Sequence, residues 1–261
     1  GQRRQLVVMR GEERPAAVHV MQVLQAATVQ QRTHGDAIMM CAGQPSSPAP
    51  APVRQAGIAA LRSEVLGYTE TPGIRPLREA IAAYHQTRDG IPVDPDDVYV
   101  TTGSSGGFVA VFLAAFDVGD TVAMTRPGYP AYRNTLSALG CRVVELDGAR
   151  TRFQPTVAQL EALPTPPAGV IVASPANPTG TIIDPDELDG IAAWCAANDS
   201  LLISDEIYHG ISFGRATRSA WATRRDAVVI GSVSKYFSMT GYRVGWLLLP
   251  QWLRRPVDIL S

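Results

Sequence analysis

Short apolar segments alternate with helical segments from about residue 95 onward, and this alternation constrains the fold more than any other feature of the chain. Seven of the apolar segments are predicted strands: Val98–Thr102, Thr121–Thr125, Arg142–Leu146, Gly169–Ala173, Leu201–Ser204, Ala227–Gly231 and Val244–Leu249. Most are almost continuously apolar, which is typical of strands that helices cover on both faces. We therefore predict an α/β fold with a seven-stranded, mostly parallel sheet and helices on both faces.

Helices are predicted before and between these strands: Ala16–Thr33, Pro52–Leu61, Ile74–Arg88, Gly106–Phe116, Tyr129–Leu139, Thr156–Leu163 and Pro185–Ala197. The last one follows Asp184, with Pro185 in its first turn and Glu187 three residues after the cap, which is typical of a helix N-terminus. The Pro-rich residues 44–52 are predicted to be extended. Three parts are predicted: residues 1–60 (an N-terminal helix and extended segment), 61–250 (the large α/β domain) and 251–261 (the start of a truncated C-terminal domain).

Composition excludes several classes of partner. The chain carries 23 basic and 24 acidic residues and a net charge of −1, which argues against binding to nucleic acid or to an anionic membrane surface. The longest apolar run, Phe108–Phe116, is too short to span a bilayer. Cys41, Cys141 and Cys195 are an odd number and form no C-x-x-C pair. They are predicted to be reduced packing residues of a cytoplasmic protein.

Lys235 is the only lysine among the 23 basic residues of the chain. Codon bias explains why lysine is scarce, but not why one lysine remains in an apolar context after a predicted strand and eight residues before Arg243. A desolvated lysine beside a second cation has a lowered pKa and becomes a nucleophile for carbonyl groups. A solvated lysine in a surface loop is the alternative interpretation.

A run of small residues, Thr102–Gly107, joins a predicted strand to a predicted helix. Backbone N–H groups at such a helix N-terminus can converge on an anion. The run also fits the pattern G-x-S-x-G, with Ser105 as a hydrolase nucleophile. That alternative requires an acid and a later histidine, and the only downstream histidine, His209, is just four residues after Asp205. A structural turn without a ligand is a third possibility.

Two further motifs follow strands. Asn177, within Ser174–Gly180, would be held by flanking prolines as a rigid amide at the carboxyl edge of the sheet. Asp205, within Ser204–His209, could pair with a buried cation, with Tyr208 as a neighbouring hydrogen-bond donor. A plain Asn-Pro turn and a helix cap by Asp205 are the alternative interpretations.

Together, the motifs around Ser105, Asn177, Asp205 and Lys235 resemble the pyridoxal-phosphate aminotransferases of fold type I, class I/II, the group that contains aspartate and alanine aminotransferases. Other segments match the same family: Cys41–Pro45, Gly67–Gly73, Arg75–Ile81 and Arg126–Tyr132. Each motif is weak alone, and their joint occurrence in this order carries the resemblance.

The resemblance implies that Lys235 forms a Schiff base with the cofactor aldehyde and then moves the proton between the substrate α-carbon and the cofactor. It implies that Asp205 pairs with the pyridinium nitrogen, while Asn177 and Tyr208 hydrogen-bond the phenolic oxygen. Tyr129 matches an aromatic residue that stacks on the cofactor ring, and the nearby Tyr132 is the alternative for that position.

The remaining implied roles concern the phosphate, the substrate and a partner subunit. The phosphate would be bound by six residues: Ser104, Ser105, Gly106, Ser232, Ser234 and Arg243. Tyr68 would reach the phosphate of a neighbouring subunit, which implies a homodimer with shared active sites. Gly43 and Asn177 would contact the substrate. No metal site is expected.

The chain departs from the family at its carboxyl end. Members continue well beyond Ser261 through a domain with a second arginine that binds the substrate α-carboxylate, and neither Arg254 nor Arg255 is suitably placed. We therefore expect a complete cofactor half, an incomplete substrate half and a fragment or natural truncation. The predicted activity is transfer of an amino group from an amino acid to a 2-oxo acid.

Three alternatives to this activity remain open at the sequence level. The chain could catalyse another pyridoxal-phosphate reaction, such as β-elimination or decarboxylation. It could be a non-catalytic, cofactor-binding sensor module or fragment. It could also be a serine hydrolase that uses Ser105.

Overall fold

The computed structural model describes residues 19–35, 37–40 and 42–260. It contains one seven-stranded sheet, formed by β1 Val98–Thr101, β2 Thr121–Arg126, β3 Arg142–Asp147, β4 Gly169–Ala173, β5 Leu201–Asp205, β6 Val228–Ser232 and β7 Gly245–Leu248. The strand order is β1-β7-β6-β5-β4-β2-β3. Strand β7 is antiparallel to both of its neighbours, and the other six strands point in one direction.

Helices precede, connect and follow the strands: α1 His19–His34, α2 Ala51–Ser63, α3 Arg75–Asp89, α4 Gly103–Ala115, α5 Pro130–Ala138, α6 Val157–Glu161, α7 Pro185–Ala197, α8 Ala220–Thr223 and α9 Gln251–Leu260. Two buried apolar clusters lie on opposite faces of the sheet, one with Trp221 and Ile191, the other with Phe112 and Leu136. All residues of β5, β6 and β7 are buried. Burial on both faces explains why the predicted strands are almost continuously apolar.

The predicted α/β architecture is confirmed, and every predicted strand end lies within one residue of the observed one. The predicted helix Pro185–Ala197 is also confirmed, with Asp184 accepting a hydrogen bond from the Asp186 amide at 3.2 Å. Glu187 instead accepts from the Val157 amide at 2.6 Å and so caps a neighbouring helix. Helix α4 begins three residues earlier than predicted, because Thr102 rather than a later residue is its cap.

The two ends of the chain could not be compared with the sequence prediction in full, or differ from it. Residues 16–18 of the predicted first helix lie outside the described residues. The sequence did not predict α9, which packs on α4 through the buried side chains of Leu253 and Val257. Arg254 of α9 forms an ion pair with Asp97, which precedes β1 at the amino edge of the sheet. The division at residues 60 and 250 stays a prediction.

The structure can also be compared with the predictions that the cysteines are reduced packing residues and that no segment spans a membrane. Cys141 and Cys195 are free and buried, and burial raises the pKa of the Cys195 thiol to about 12. Cys41 lies outside the described residues. Within the described part of the chain, no helix combines the length and apolar composition needed to cross a membrane.

A buried polar network supports the loop that follows β5. The Glu206 carboxylate accepts hydrogen bonds from the Ser204 hydroxyl at 3.0 Å and from the Ala220 amide at 2.8 Å. Its second oxygen lies 3.3 Å from His209 Nδ1, and an Arg88 guanidinium nitrogen lies 3.1 Å from the same ring nitrogen. The network therefore ties the loop after β5 to α3 and α8.

Replacement of Glu206 by alanine should lower the free energy of unfolding by about 3 kcal/mol, because it leaves buried donors without their acceptor. Glu206→Gln keeps the side-chain volume and one oxygen acceptor, so it should cost only about 1 kcal/mol. Urea unfolding of both variants measures the difference. Equal losses in the two variants would show that the amide oxygen of glutamine does not replace the carboxylate oxygen as an acceptor.

Candidate active site

A cavity of about 180 Å³ lies at the carboxyl edge of the sheet. The loops after β1, β2, β4, β5 and β6 all reach this edge, which is where open α/β sheets bind ligands. Nine of the predicted site residues line the cavity: Ser104, Ser105, Tyr129, Asn177, Asp205, Tyr208, Ser234, Lys235 and Arg243. The topology therefore brings together motifs that are up to 139 positions apart, from Ser104 to Arg243.

Lys235 extends from the loop after β6 and is half-buried. Its ammonium group donates a hydrogen bond to the Gly43 carbonyl at 2.6 Å and lies 5.7 Å from the centroid of the Tyr208 ring. Burial and the nearby Arg243 lower the pKa of Lys235, while Asp205 opposes this shift. A lysine in these surroundings loses its proton more readily and becomes more nucleophilic.

Asp205 is the last residue of β5 and is buried. One carboxylate oxygen accepts a hydrogen bond from the Ile207 amide at 3.1 Å, and the other accepts a hydrogen bond from the Tyr132 hydroxyl. Burial raises the pKa of Asp205 to about 6, although both hydrogen bonds oppose that shift. The carboxylate closes a turn rather than capping a helix, because a turn follows β5.

Asn177 and Tyr208 form a pair between the loops after β4 and β5. Their side chains are hydrogen-bonded, and burial followed by the charge of Asp205 raises the pKa of Tyr208. The phenol therefore stays protonated at neutral pH and can donate to an anionic oxygen. The amide of Asn177 can donate to the same oxygen.

An anion-binding arrangement occupies another part of the cavity. Ser104 and Ser105 lie in the first turn of α4, where backbone N–H groups have no partner within the helix. Gly103 has a φ of +74°, and a Cβ atom there would come within 2.4 Å of the Arg243 guanidinium. Arg243 is held by a hydrogen bond of 3.0 Å to the Thr240 carbonyl. The N-terminus of α4, the two serine hydroxyls and the Arg243 guanidinium together suit a doubly charged phosphate group.

Four predicted site residues do not line the cavity. Ser232 is buried behind it, with its hydroxyl 2.7 Å from that of Ser234. Gly106 lies in α4, where a Cβ atom would come within 2.6 Å of the Thr102 hydroxyl. Gly43 meets the cavity only through its bond to Lys235, and Tyr68 is fully exposed. Their predicted roles stay predictions.

The structure adds lining residues that the sequence did not single out: Phe108, Ile207 and Thr240. Tyr132 also lines the cavity, but its hydroxyl contacts Asp205, whereas the sequence offered it only as the alternative to Tyr129 for ring stacking. The spacing of Tyr129 and Tyr132 places one residue before α5 and the other in its first turn. That spacing is the only sequence signal for the contact.

The hydrolase alternative lacks its base. His209 is buried against Glu206 and Arg88, and burial lowers its pKa to about 3. Among the described residues, no histidine lines the cavity beside Ser105. Ser105 therefore has no imidazole to activate its hydroxyl.

Sequence comparison assigns the family. The family model described as aminotransferase class I and II matches residues 35–261. The chain belongs to this family. The predicted family is therefore confirmed, and aminotransferases of class I and II depend on pyridoxal phosphate.

Several aminotransferases are similar to this chain in sequence and structure. Valine–pyruvate aminotransferase of Mycobacterium tuberculosis is 59% identical over 246 residues, which cover 93% of this chain and 63% of that protein. The crystal structure of an aminotransferase from Mycobacterium tuberculosis superposes with a TM-score of 0.92 at 56% identity, covering 97% of this chain and 66% of the other. Aspartate aminotransferase from Thermus thermophilus with maleate gives a TM-score of 0.89 at 27% identity, covering 97% and 68%. The chain thus spans about two thirds of these relatives.

Proposed function

We propose that this aminotransferase-family chain binds pyridoxal phosphate in the cavity and forms the cofactor half of an active aminotransferase. One observation carries the proposal: the sole lysine, a buried carboxylate and the residues of the anion-binding arrangement line the same cavity. The lysine amine suits the cofactor aldehyde, the carboxylate suits its protonated ring nitrogen, and the anion-binding residues suit its doubly charged phosphate.

The chemistry of the lining residues fits each functional group of the cofactor. Lys235 would bind the aldehyde carbon and Asp205 the pyridinium nitrogen. The Asn177–Tyr208 pair supplies two donors for the phenolic oxygen. The phosphate would be bound by Ser104, Ser105, Ser234 and Arg243, with Ser232 and Gly106 shaping that region. Gly103 leaves the space in which the Arg243 guanidinium lies.

Pyridoxal phosphate, when bound, supplies a ring that stabilises negative charge on the substrate α-carbon. Asp205 would favour that effect by holding a negative charge against the ring nitrogen. Lys235, whose pKa is lowered by burial and Arg243, would remove the α-proton and return it as general base and acid. Tyr129 would restrict the ring by stacking, while Asn177 and Gly43 would help to hold the substrate.

The relatives support a substrate class and an assembly. Valine–pyruvate aminotransferase is 59% identical, which supports a branched aliphatic amino acid and pyruvate as the substrate pair. A homodimer with shared sites is also proposed. It is supported by the exposure of Tyr68 and of the neighbouring Val65 and Leu66, since this is the segment that would reach a partner subunit. Burial of these apolar side chains in a dimer would stabilise it.

The two half-reactions of a transamination test the function. Purified protein loaded with pyridoxal phosphate should release one equivalent of the 2-oxo acid from L-valine in the absence of an acceptor, and pyruvate should then be converted to alanine. Aspartate and arginine serve as comparison donors. Carbon dioxide and an amine in place of the 2-oxo acid would indicate decarboxylation. Ammonia released together with a 2-oxo acid from a donor that carries a β-leaving group, such as cysteine, would indicate β-elimination. Cofactor binding without any product would instead support the non-catalytic sensor or fragment.

A further inference from the structure

The Tyr132 side chain is fixed in the core beside Asp205. It extends from the first turn of α5 and is 3% exposed. Its ring packs against Phe108, at 4.8 Å between centroids, and against Tyr129, at 5.3 Å. Its hydroxyl donates a hydrogen bond to an Asp205 carboxylate oxygen. The phenol is therefore held by packing and directed at a carboxylate on a different element.

The two oxygens of Asp205 receive donors of different origin. The Ile207 amide is local and remains in place whenever the turn after β5 forms. The Tyr132 hydroxyl comes from a residue 73 positions away and depends on the docking of α5. With the local donor alone, the carboxylate could rotate about its side-chain bond. The second donor fixes the plane of the carboxylate.

The two hydrogen bonds also affect the pKa of Asp205, on which several neighbouring groups act in opposite directions. Burial and the neighbouring Glu206 raise the pKa of Asp205, whereas Tyr132, the Ile207 amide and Lys235 lower it. The phenols of Tyr129 and Tyr208 also face Asp205, and burial together with the charge of Asp205 raises the pKa of each. Burial also raises the pKa of Tyr132 well above 10, so this hydroxyl remains a donor at neutral pH.

We propose that Tyr132 is a positioning residue whose hydroxyl keeps Asp205 ionised and oriented toward the cofactor's ring nitrogen. The inference rests on the proposed function for its ligand, but the coupling between Tyr132 and Asp205 belongs to the protein alone. A residue that only packs would need the ring and not the hydroxyl.

Tyr132→Phe separates these roles, because it keeps the ring between Phe108 and Tyr129 and removes only the hydroxyl. Tyr99→Phe is the matched control: Tyr99 is also buried, but it lies in β1 and does not line the cavity. Two measurements are made on the full chain. One is the dissociation constant for pyridoxal phosphate, and the other is the urea midpoint without cofactor at about pH 4.5 and about pH 7.5.

Tyr132→Phe should weaken cofactor binding about 10-fold, since a hydrogen bond to a charged group is lost. Its urea midpoint should fall further below that of the parent protein at the higher pH, where Asp205 is ionised. Tyr99→Phe should change neither quantity. In an Asp205→Asn background, Tyr132→Phe should lose its pH-dependent effect.

Equal behaviour of Tyr132→Phe and Tyr99→Phe in both measurements would overturn the proposal. If the parent protein itself binds no pyridoxal phosphate, the proposed function fails. The urea midpoints still test the coupling in that case, because they require no cofactor. The two failures are therefore distinguishable.

Discussion

Replacement of Lys235 by alanine is expected to abolish covalent retention of pyridoxal phosphate and to slow the valine half-reaction by up to about 10⁴-fold. The side chain lies in the cavity with Asp205 and Arg243, and burial lowers the pKa of its amine. No other lysine exists in the sequence to replace it. Both losses should therefore come from a single substitution.

Borohydride reduction of the cofactor-loaded protein, followed by peptide mass mapping, measures the covalent adduct. Lys235→Arg is the matched control, because it keeps a long cationic side chain that stays protonated and cannot react with an aldehyde. The arginine variant should retain fold and charge without forming the adduct. An adduct of unchanged yield in either variant, located at the N-terminal amine, would contradict the assignment of Lys235.

Asp205→Asn should stabilise the cofactor-free protein at neutral pH while weakening cofactor binding about 10- to 100-fold. Burial raises the pKa of this carboxyl to about 6, from the value of 3.8 that an exposed aspartate has in the unfolded chain. Between these values the folded protein binds more protons than the unfolded chain, so stability decreases as pH rises. The loss amounts to about 3 kcal/mol once the pH exceeds about 6.

Because asparagine does not titrate in this range, the variant should not lose stability in this way as the pH rises. Urea unfolding of both proteins at several pH values from about 4 to about 7.5 should show the variant gaining relative stability as pH rises. Cofactor titrations at the same pH values measure the opposite effect on binding. Parallel stability profiles for the two proteins would show that Asp205 ionises without cost in the folded state.

The sheet could be predicted closely because its strands are buried on both faces. Leu201–Asp205 and Val228–Ser232 are wholly buried, so their apolar character survives in the sequence without interruption. The site followed from the same pattern. Asn177 and Lys235 come just after a strand and Asp205 is the last residue of one, and the carboxyl ends of parallel strands meet at one edge.

Contacts between distant elements could not be predicted in this way. The bond between Tyr132 and Asp205 depends on how α5 docks against β5, and neither residue type specifies it. Glu187 shows the same limit, because its local pattern fits a cap of its own helix and its carboxylate binds the Val157 amide instead. Side-chain partners of this kind depend on tertiary packing rather than on spacing along the chain.

The reversed direction of β7 has a consequence for how the two cations of the cavity assemble. Because Ser232 pairs with Gly245, residues 233–244 leave the sheet and return to it at the same edge, as in a wide hairpin. A parallel β7 would begin at the far edge and would carry Arg243 away from Lys235. Closure of this one loop therefore delivers the reactive amine and the anion-binding guanidinium together, and its entropic cost is incurred once for both.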